Sequence, residues 1–228
     1  PVAFEQGPPE GAPEALSKTR MSVAGMGDFH RDAERRGVQV PEDLPDDERA
    51  HANLQALVRN YYRVLLGVDE NVGRVLDFLD QNDLAENTIV VYTSDNGFFL
   101  GEYGFYDKRL MYEPSIRVPM LVRWPRRITA GQVDDDNMVL NVDVAPTLLE
   151  LAGAAAPDWM HGRSWKPLLD GEPAEWREDF LYEFFEYPAV HCVRKHRGVR
   201  GRRWKLIHFW EMPDEWALYD LENDPDEL

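Results

Sequence analysis

Two oxygen-bearing side chains and a lysine are the residues of this chain best suited to chemistry. Asp95 and Asn96 closely follow the apolar, β-branched run 89–92, and Lys108 comes twelve residues after Asn96. A carboxylate beside an amide oxygen offers a hard metal ion such as Ca²⁺ the ligands that it prefers. A lysine brought back to the same place would add a positive charge. Together these groups would bind and polarise an anionic ester.

Each of these residues also has an ordinary structural interpretation. Asp95 and Asn96 could form an Asx turn, in which their side chains bond neighbouring backbone and Gly97 takes a positive φ. Lys108 could be a solvated surface lysine. Calcium takes six to eight oxygen ligands, so most ligands of a metal site would have to come from elsewhere. The residues alone leave both interpretations open.

The elements that must position these residues predict an α/β fold. Apolar residues at steps of three and four predict a long amphipathic helix over 49–81 with one buried stripe, ended by Asn82 and Asp83. The runs 89–92 and 119–124 predict strands, the first of them central and covered on both sides. Residues 143–153 predict a helix with Asp143 as its N-cap. This order indicates a layered sheet with flanking helices.

The chain divides by composition into three parts. Residues 1–48 contain six prolines and many charges, which predicts a loop-rich segment. Residues 49–155 carry the α/β pattern. Residues 156–228 predict a small antiparallel α+β subdomain. Its strand candidates are 181–186, 203–210 and 216–221, with turns between them at Arg197-Gly198 and Met212-Pro213-Asp214.

Composition limits the possible partners. Lys and Arg number 25 against 42 Asp and Glu, which leaves a net charge of −17. Neither nucleic acid nor an anionic membrane surface is expected as a partner, because both bind clustered Lys and Arg. No apolar run approaches the roughly 20 residues that span a bilayer. The single cysteine, Cys192, excludes an internal disulfide. An anionic substrate would therefore need a local cluster of cations.

The segment 88–125 closely resembles the type I sulfatases, a branch of the alkaline phosphatase superfamily. The resemblance rests on Asp95 and Asn96 at the strand end, on Lys108, and on the Y-E-x-x-x-R-x-P run at 112–119. Elements at 161–169 and 215–225 extend it over about residues 58–228. It implies an alkaline-phosphatase-like layered mixed sheet, with the small antiparallel subdomain at its C-terminal end.

The resemblance also implies roles for the site residues. Asp95 and Asn96 would be ligands of a calcium ion, and Lys108 would contact the sulfate ester oxygens as a catalytic residue. The substrate would be a sulfated small molecule or glycan. The family nucleophile is a formylglycine made from Cys or Ser in C/S-x-P-x-R, and no such pentapeptide occurs here.

Other residues are weaker candidates. Tyr103 stands where many family members have a pocket histidine, so it would either contact substrate or pack as a loop aromatic. His191 and His196 resemble side chains that reach the pocket rim in sulfatases acting on sulfated sugars. Glu113 and Arg117 could pair and hold the lysine loop. A basic cluster could steer a polyanionic glycan or be a solvated turn; its members are Arg194, Lys195, Arg197, Arg200, Arg202, Arg203 and Lys205.

These observations favour the C-terminal half of a sulfatase, a sulfuric ester hydrolase that acts on sulfated carbohydrates. The formylglycine and further calcium ligands would come from a missing N-terminal half, so the chain alone is expected to be inactive. One alternative is a phosphoesterase or phosphonate hydrolase of the same superfamily. Another is a non-catalytic, glycan-binding half.

Overall fold

The computed structural model describes residue 4 and residues 7–26, 43–171, 175–210 and 213–228. The predicted turn at Met212 and part of the predicted loop-rich segment, including 27–42, lie outside the described residues. The chain forms two compact units that alternate along the sequence. Unit 1 comprises Pro1–Arg74, Asn96–Val118 and Phe180–Leu228. Unit 2 comprises Val75–Asp95 and Pro119–Asp179.

The described residues contain one long helix and several short ones. They are α1 (Glu14–Ser17), α2 (Asp46–Gln81), α3 (Glu113–Ile116), α4 (Val144–Leu151) and α5 (Lys166–Leu169). The predicted long helix is confirmed as α2. It ends where predicted, because Asp83 takes a left-handed φ of 56° and the Asn82 side chain donates to the Phe78 carbonyl at 2.8 Å. None of the described helices has the length and apolarity needed to cross a membrane.

The apolar stripe of α2 is buried over only part of its length. Leu54, Ala56 and Leu79 are buried, whereas Tyr62 and Val75 are 60% and 56% exposed. The expectation of one continuous buried stripe is therefore wrong for this chain. The spacing of apolar residues marks a face that is suited to burial, but burial also requires a neighbouring element.

Eight β-strands occur in the described residues: β1 (Val90–Thr93), β2 (Phe99–Leu100), β3 (Tyr106–Asp107), β4 (Met120–Arg123), β5 (Asp179–Phe184), β6 (His196–Gly201), β7 (Trp204–Phe209) and β8 (Glu215–Asp220). In unit 2, β1 pairs antiparallel with β4. All four residues of β1 are half-buried. The strand predicted to be covered on both faces is thus only partly covered.

A four-stranded sheet in the order β5-β6-β7-β8 forms much of unit 1. Alternate residues of β7 point inward, so Lys205, Ile207 and Phe209 are buried while Trp204 and Leu206 are exposed. The predicted C-terminal strands are confirmed. The predicted turn at Arg197-Gly198 is wrong, because both residues lie in β6. A Cβ on Gly198 would lie 2.4 Å from the Leu206 carbonyl oxygen, so glycine serves close strand packing here.

In unit 2, Asp143 does not have the capping role that its position suggests. It precedes α4, but its side chain makes no capping hydrogen bond to that helix. Its wholly buried carboxylate instead accepts hydrogen bonds from Arg177, from the Arg163 amide at 2.8 Å and from the Leu140 amide at 2.8 Å. The helix prediction is correct, and the side chain acts in a longer-range contact that the local pattern does not reveal.

His196 lies in the core of unit 1 among aromatic rings. Its side chain is wholly buried, stacks on Tyr182 and Phe184 with ring centroids 5.6 and 5.3 Å away, and contacts Phe209. Its Nδ1 lies 2.8 Å from the Arg194 carbonyl oxygen. Burial lowers the pKa of His196 to about 4, so the ring is neutral in the folded chain at neutral pH.

The buried His196 should make stability depend on pH. In the unfolded chain the His196 side chain takes up a proton near pH 6.5, whereas in the folded chain it does so only near pH 4. The contribution of the neutral His196 to the free energy of unfolding is therefore complete above pH 6.5. It falls by roughly 3 kcal/mol as the pH drops to 4. We expect His196→Phe to lose most of that dependence in urea unfolding at pH 7 and 4.5. The exposed His161→Phe is the matched control; an equal effect of both variants would contradict this assignment.

Candidate functional site

The loop that follows β1 is anchored within unit 2 by a side chain that sequence analysis did not single out. Asn141 donates from Nδ2 to the Ser94 carbonyl oxygen at 3.1 Å and to the Asp95 carbonyl oxygen at 2.9 Å. Asp95 itself is exposed. Its backbone carbonyl is thus fixed at the strand end, and Ser94 Oγ lies 3.4 Å from its Oδ1.

The next two residues are anchored within unit 1. Asn96 donates from Nδ2 to the Gly97 carbonyl oxygen at 2.7 Å, and the Gly97 amide donates to the Ser115 carbonyl oxygen at 2.8 Å. A Cβ on Gly97 would lie 2.1 Å from the Pro114 carbonyl oxygen. The glycine is therefore required for close approach to α3. The Asx-turn alternative gave Gly97 a positive φ, which this residue does not have.

Lys108 sits between two residues with unusual backbone geometry. Asp107 and Arg109 have φ values of 72° and 98°, a left-handed region that non-glycine residues enter at a cost of about 1–3 kcal/mol each. Lys108 is half-buried, and no carboxylate in the described part of the chain pairs with it. Strained backbone therefore holds an amine whose charge is not neutralised by those residues.

The residues beside Lys108 form a network of charged and polar groups in unit 1. Asp107 accepts from Arg109 Nη1 at 2.6 Å and lies 3.0 Å from His191 Nε2, while Arg109 Nε donates to Glu186 at 3.2 Å. Burial and the nearby Arg109 lower the pKa of His191, although Asp107 and Glu186 oppose the shift. Sequence analysis missed Asp107, Arg109 and Glu186, because charged neighbours in sequence carry no signal of this convergence.

Lys108 and Asn96 belong to loops that meet at one residue. The Arg109 amide, adjacent to Lys108, donates to Ser115 Oγ at 3.2 Å. The carbonyl oxygen of the same serine accepts the Gly97 amide. Unit 1 thus attaches both loops to the four-residue helix α3.

The three weaker candidates are all buried. Tyr103 is 3% exposed, donates from its hydroxyl to the Asp226 carbonyl oxygen at 2.6 Å, and has a pKa raised far above 10 mainly by burial. His191 is buried against Asp107, and His196 is in the aromatic core. Of the three, only His191 is in direct contact with a residue adjacent to Lys108; the positions of Tyr103 and His196 favour packing roles.

The predicted basic cluster does not form one exposed surface. Lys205 and Arg194 are buried, and Lys205 Nζ lies 2.8 Å from Glu113 and 2.6 Å from Glu227. Arg194 pairs with Glu215. The suggested Glu113–Arg117 pair is not formed in the described part of the chain, since the Glu113 carboxylate pairs with Lys205 and Arg200 instead. These side chains stabilise the fold of unit 1 through buried ion pairs.

The described residues contain oxygen donors of the type that calcium takes, but no complete set of metal ligands. No three His, Cys, Asp or Glu side chains converge as metal ligands anywhere in the described ranges. Asp95 and Asn96 offer two hard oxygen donors in sequence, a donor type that suits calcium. The chemistry of these two donors would fit a calcium ion that takes its other ligands from elsewhere. Within unit 1, the lysine loop that meets the Asn96 loop at Ser115 offers a cation for an anionic group.

A strand-end carboxylate with an adjoining amide, and a lysine loop, on an α/β fold are suited to binding and polarising an anionic ester. Two family models match the chain: "Sulfatase" over residues 14–154, and "N-sulphoglucosamine sulphohydrolase, C-terminal" over residues 101–228. The chain belongs to the sulfatase family, within the alkaline phosphatase superfamily, as its motifs predict.

Individual relatives agree with the family. N-acetylglucosamine-6-O-sulfatase of Bacteroides thetaiotaomicron is 47% identical over 177 residues, which are 76% of this chain and 32% of the relative. The solved structure of BT4656 in complex with its substrate D-glucosamine-2-N,6-O-disulfate is 35% identical, with a TM-score of 0.84, and is matched over 100% of this chain and 53% of that chain.

A solved phosphonate monoester hydrolase from Silicibacter pomeroyi also matches. Its TM-score is 0.69 at 25% identity, over 80% of this chain and 37% of that chain. This chain thus spans between about a third and a half of the length of these three proteins.

The contact of Gly97 with α3 gives a direct test of the loop geometry. Gly97→Ala would force a methyl group against the Pro114 carbonyl oxygen, so we expect the free energy of unfolding to fall by about 2 kcal/mol or more. The matched control is Gly67→Ala in the middle of α2, where nothing lies within 4 Å. This control should stabilise the chain by about 0.5–1 kcal/mol. Urea unfolding measures both, and a neutral Gly97→Ala would refute the described packing.

Proposed function

We propose that the complete protein to which this chain belongs hydrolyses sulfate esters of carbohydrates. The observation that carries the proposal is the meeting of two loops at Ser115: one bears Asn96, next to Asp95, and the other bears Lys108. The loop that bears one proposed oxygen ligand, Asn96, and the loop that bears the cation for the ester are thereby held by one short helix. Family membership supports sulfate over other anionic groups.

Each residue has a defined part in this proposal. Asp95 and Asn96 would hold a calcium ion together with ligands from outside this chain. When bound, that ion would supply Lewis-acid polarisation of the ester oxygens. Lys108 would place its ammonium group against the sulfate oxygens and stabilise the negative charge that develops there. Because C/S-x-P-x-R is absent, the proposal assigns the formylglycine nucleophile to a part of the protein outside these 228 residues.

The residues beside Lys108 support a carbohydrate as the remainder of the substrate. Asp107, Arg109, Glu186 and His191 provide several hydrogen-bond donors and acceptors near the lysine. Such groups are suited to sugar hydroxyls, which need both donors and acceptors. The similarity to an N-acetylglucosamine-6-O-sulfatase makes glucosamine 6-sulfate the first substrate to test.

A phosphonate or phosphate ester is the second candidate substrate. The similarity to a phosphonate monoester hydrolase supports it, and a calcium ion with a lysine would bind either anion. The complete protein should be assayed with glucosamine 6-sulfate and with a phosphonate monoester. A higher kcat/KM for the phosphonate would overturn the sulfatase proposal.

The lysine can be tested by its effect on turnover. In the complete protein we expect Lys108→Ala to lower kcat for glucosamine 6-sulfate by about 10²–10³-fold, because a group that stabilises the developing charge is lost. The control is Lys18→Ala, since Lys18 is an exposed lysine paired with Glu14. Glycan binding and turnover that both survive Lys108→Ala would refute the catalytic role. Binding without any turnover in the wild-type protein would instead support a non-catalytic half.

The calcium ligands can be tested separately from the lysine. We expect Asp95→Ala to weaken Ca²⁺ binding to the complete protein by about tenfold or more, because a charged oxygen ligand is removed. Titration calorimetry with Ca²⁺ and activity after chelation and Ca²⁺ return measure the effect. Asp134→Ala, at an exposed position, is the control. Equal Ca²⁺ affinity in wild type and Asp95→Ala would exclude Asp95 as a ligand.

A further inference from the structure

The short helix α3 cannot be stable by itself. It has four residues, whereas isolated helices shorter than about 12–15 residues are marginal in water. Nevertheless it contacts both functional loops through Ser115, which is only 4% exposed. The position of those loops therefore depends on whatever fixes α3.

The C-terminal segment of the chain provides that fixation in unit 1. Glu227 is wholly buried, and its Oε2 accepts the backbone amide of Glu113, the first residue of α3, at 2.7 Å. Its other oxygen, Oε1, accepts from Lys205 Nζ at 2.6 Å. Lys205 also pairs with the Glu113 side chain. One carboxylate thus connects the backbone of α3 to the interior of the four-stranded sheet.

Local contacts determine where Glu227 lies. Its amide donates to the Asp224 carbonyl oxygen at 3.2 Å, and the following Leu228 amide donates to Asp224 Oδ1 at 3.0 Å. The preceding carbonyl group, of Asp226, accepts the Tyr103 hydroxyl. With a φ of 52°, Glu227 is turned back toward the core. This turn presents its carboxylate to α3 rather than to solvent.

We propose that Ser115 is a positioning residue for Asn96 and Lys108, and that Glu227 holds it in place through α3. Contact passes from Glu227 to the Glu113 amide, two residues along α3 to Ser115, and then to the Gly97 and Arg109 amides. Neither Ser115 nor Glu227 would touch the substrate. The consequence for catalysis rests on the proposed function, whereas the positioning itself does not.

The effect of Ser115 on the position of Lys108 can be observed by NMR of the Lys108 amine. The chain contains five lysines, so ¹³C-dimethylation of their amines gives few NMR signals, and Lys108→Arg assigns the one from Lys108. We expect Ser115→Ala, which removes the acceptor of the Arg109 amide, to shift the Lys108 signal and leave those of Lys18 and Lys166 unchanged. Ser17→Ala is the matched control, because it removes an exposed hydroxyl that bonds only the Glu14 carbonyl oxygen.

A second variant tests the remote part of the path. Glu227→Gln keeps an acceptor for the Glu113 amide but removes the charge that pairs with Lys205. It should shift the Lys108 signal in the same direction as Ser115→Ala, by a smaller amount. Both variants should weaken binding of inorganic sulfate, and Ser115→Ala should do so by about tenfold, the equivalent of one hydrogen bond.

The outcomes separate the two proposals. A Lys108 signal that moves in both variants, with no response of any lysine to sulfate, would support positioning and contradict the sulfate site. A Lys108 signal that stays unchanged in folded Ser115→Ala, with sulfate affinity equal to wild type, would overturn the positioning role. A shift of all lysine signals together would also overturn it, since that result indicates a general loss of structure.

Discussion

The buried ion pairs around Lys205 are the constraint on which unit 1 depends. A wholly buried ammonium group is costly to desolvate unless it is paired and hydrogen-bonded, and here Glu113 and Glu227 both contact it. Arg200 adds a second positive charge at Glu113, 3.3 Å away. Burial raises the pKa of Glu113, yet Lys205 and Arg200 more than offset this and lower it overall. Burial raises the pKa of Glu227, although Lys205 and the Glu113 amide oppose that shift. Loss of Lys205 would therefore leave both carboxyl groups in the core without their shared partner.

This network explains how the four-residue helix α3 can hold two loops in place. A hydrophobic contact would stabilise α3 but would leave it free to rotate or slide, because such contacts are not directional. A carboxylate that binds a backbone amide and an ammonium group fixes both distance and direction. The aromatic rings beneath it add rigidity, with Tyr112 and Tyr219 joined by a 2.6 Å hydrogen bond between their hydroxyl groups. Ordered loops around Lys108 require such directional support, because the left-handed residues on both sides of it are strained.

Local sequence patterns predicted the elements better than the contacts between them. The 36-residue helix α2 and the strands β7 and β8 follow from periodicity. The choice of Asp95, Asn96 and Lys108 as site residues rests on motif resemblance and stays a prediction. The partners of Lys205 could not be predicted, because Glu113 and Glu227 are distant in sequence and the strand register decides which side chains face inward. For the same reason His196 resembled a substrate-binding residue at the pocket rim in sequence but lies in the core. The network of charged groups beside Lys108 includes Glu186, which is 77 residues from Arg109 in sequence, so local patterns do not reveal it.

Charge pairing also changes how an anion would be attracted to this acidic chain. Sequence composition suggested a basic cluster that steers a glycan from a distance, but several of its members are neutralised within the fold: Arg194 by Glu215, Arg200 by Glu113 and Arg203 by Asp220. A net charge of −17 repels anions at long range, yet such fields are screened beyond about 8 Å at physiological salt. Inside that distance a half-buried lysine and a metal ion would dominate. The geometry therefore favours recognition at contact, where precise placement of Lys108 matters more than the overall field.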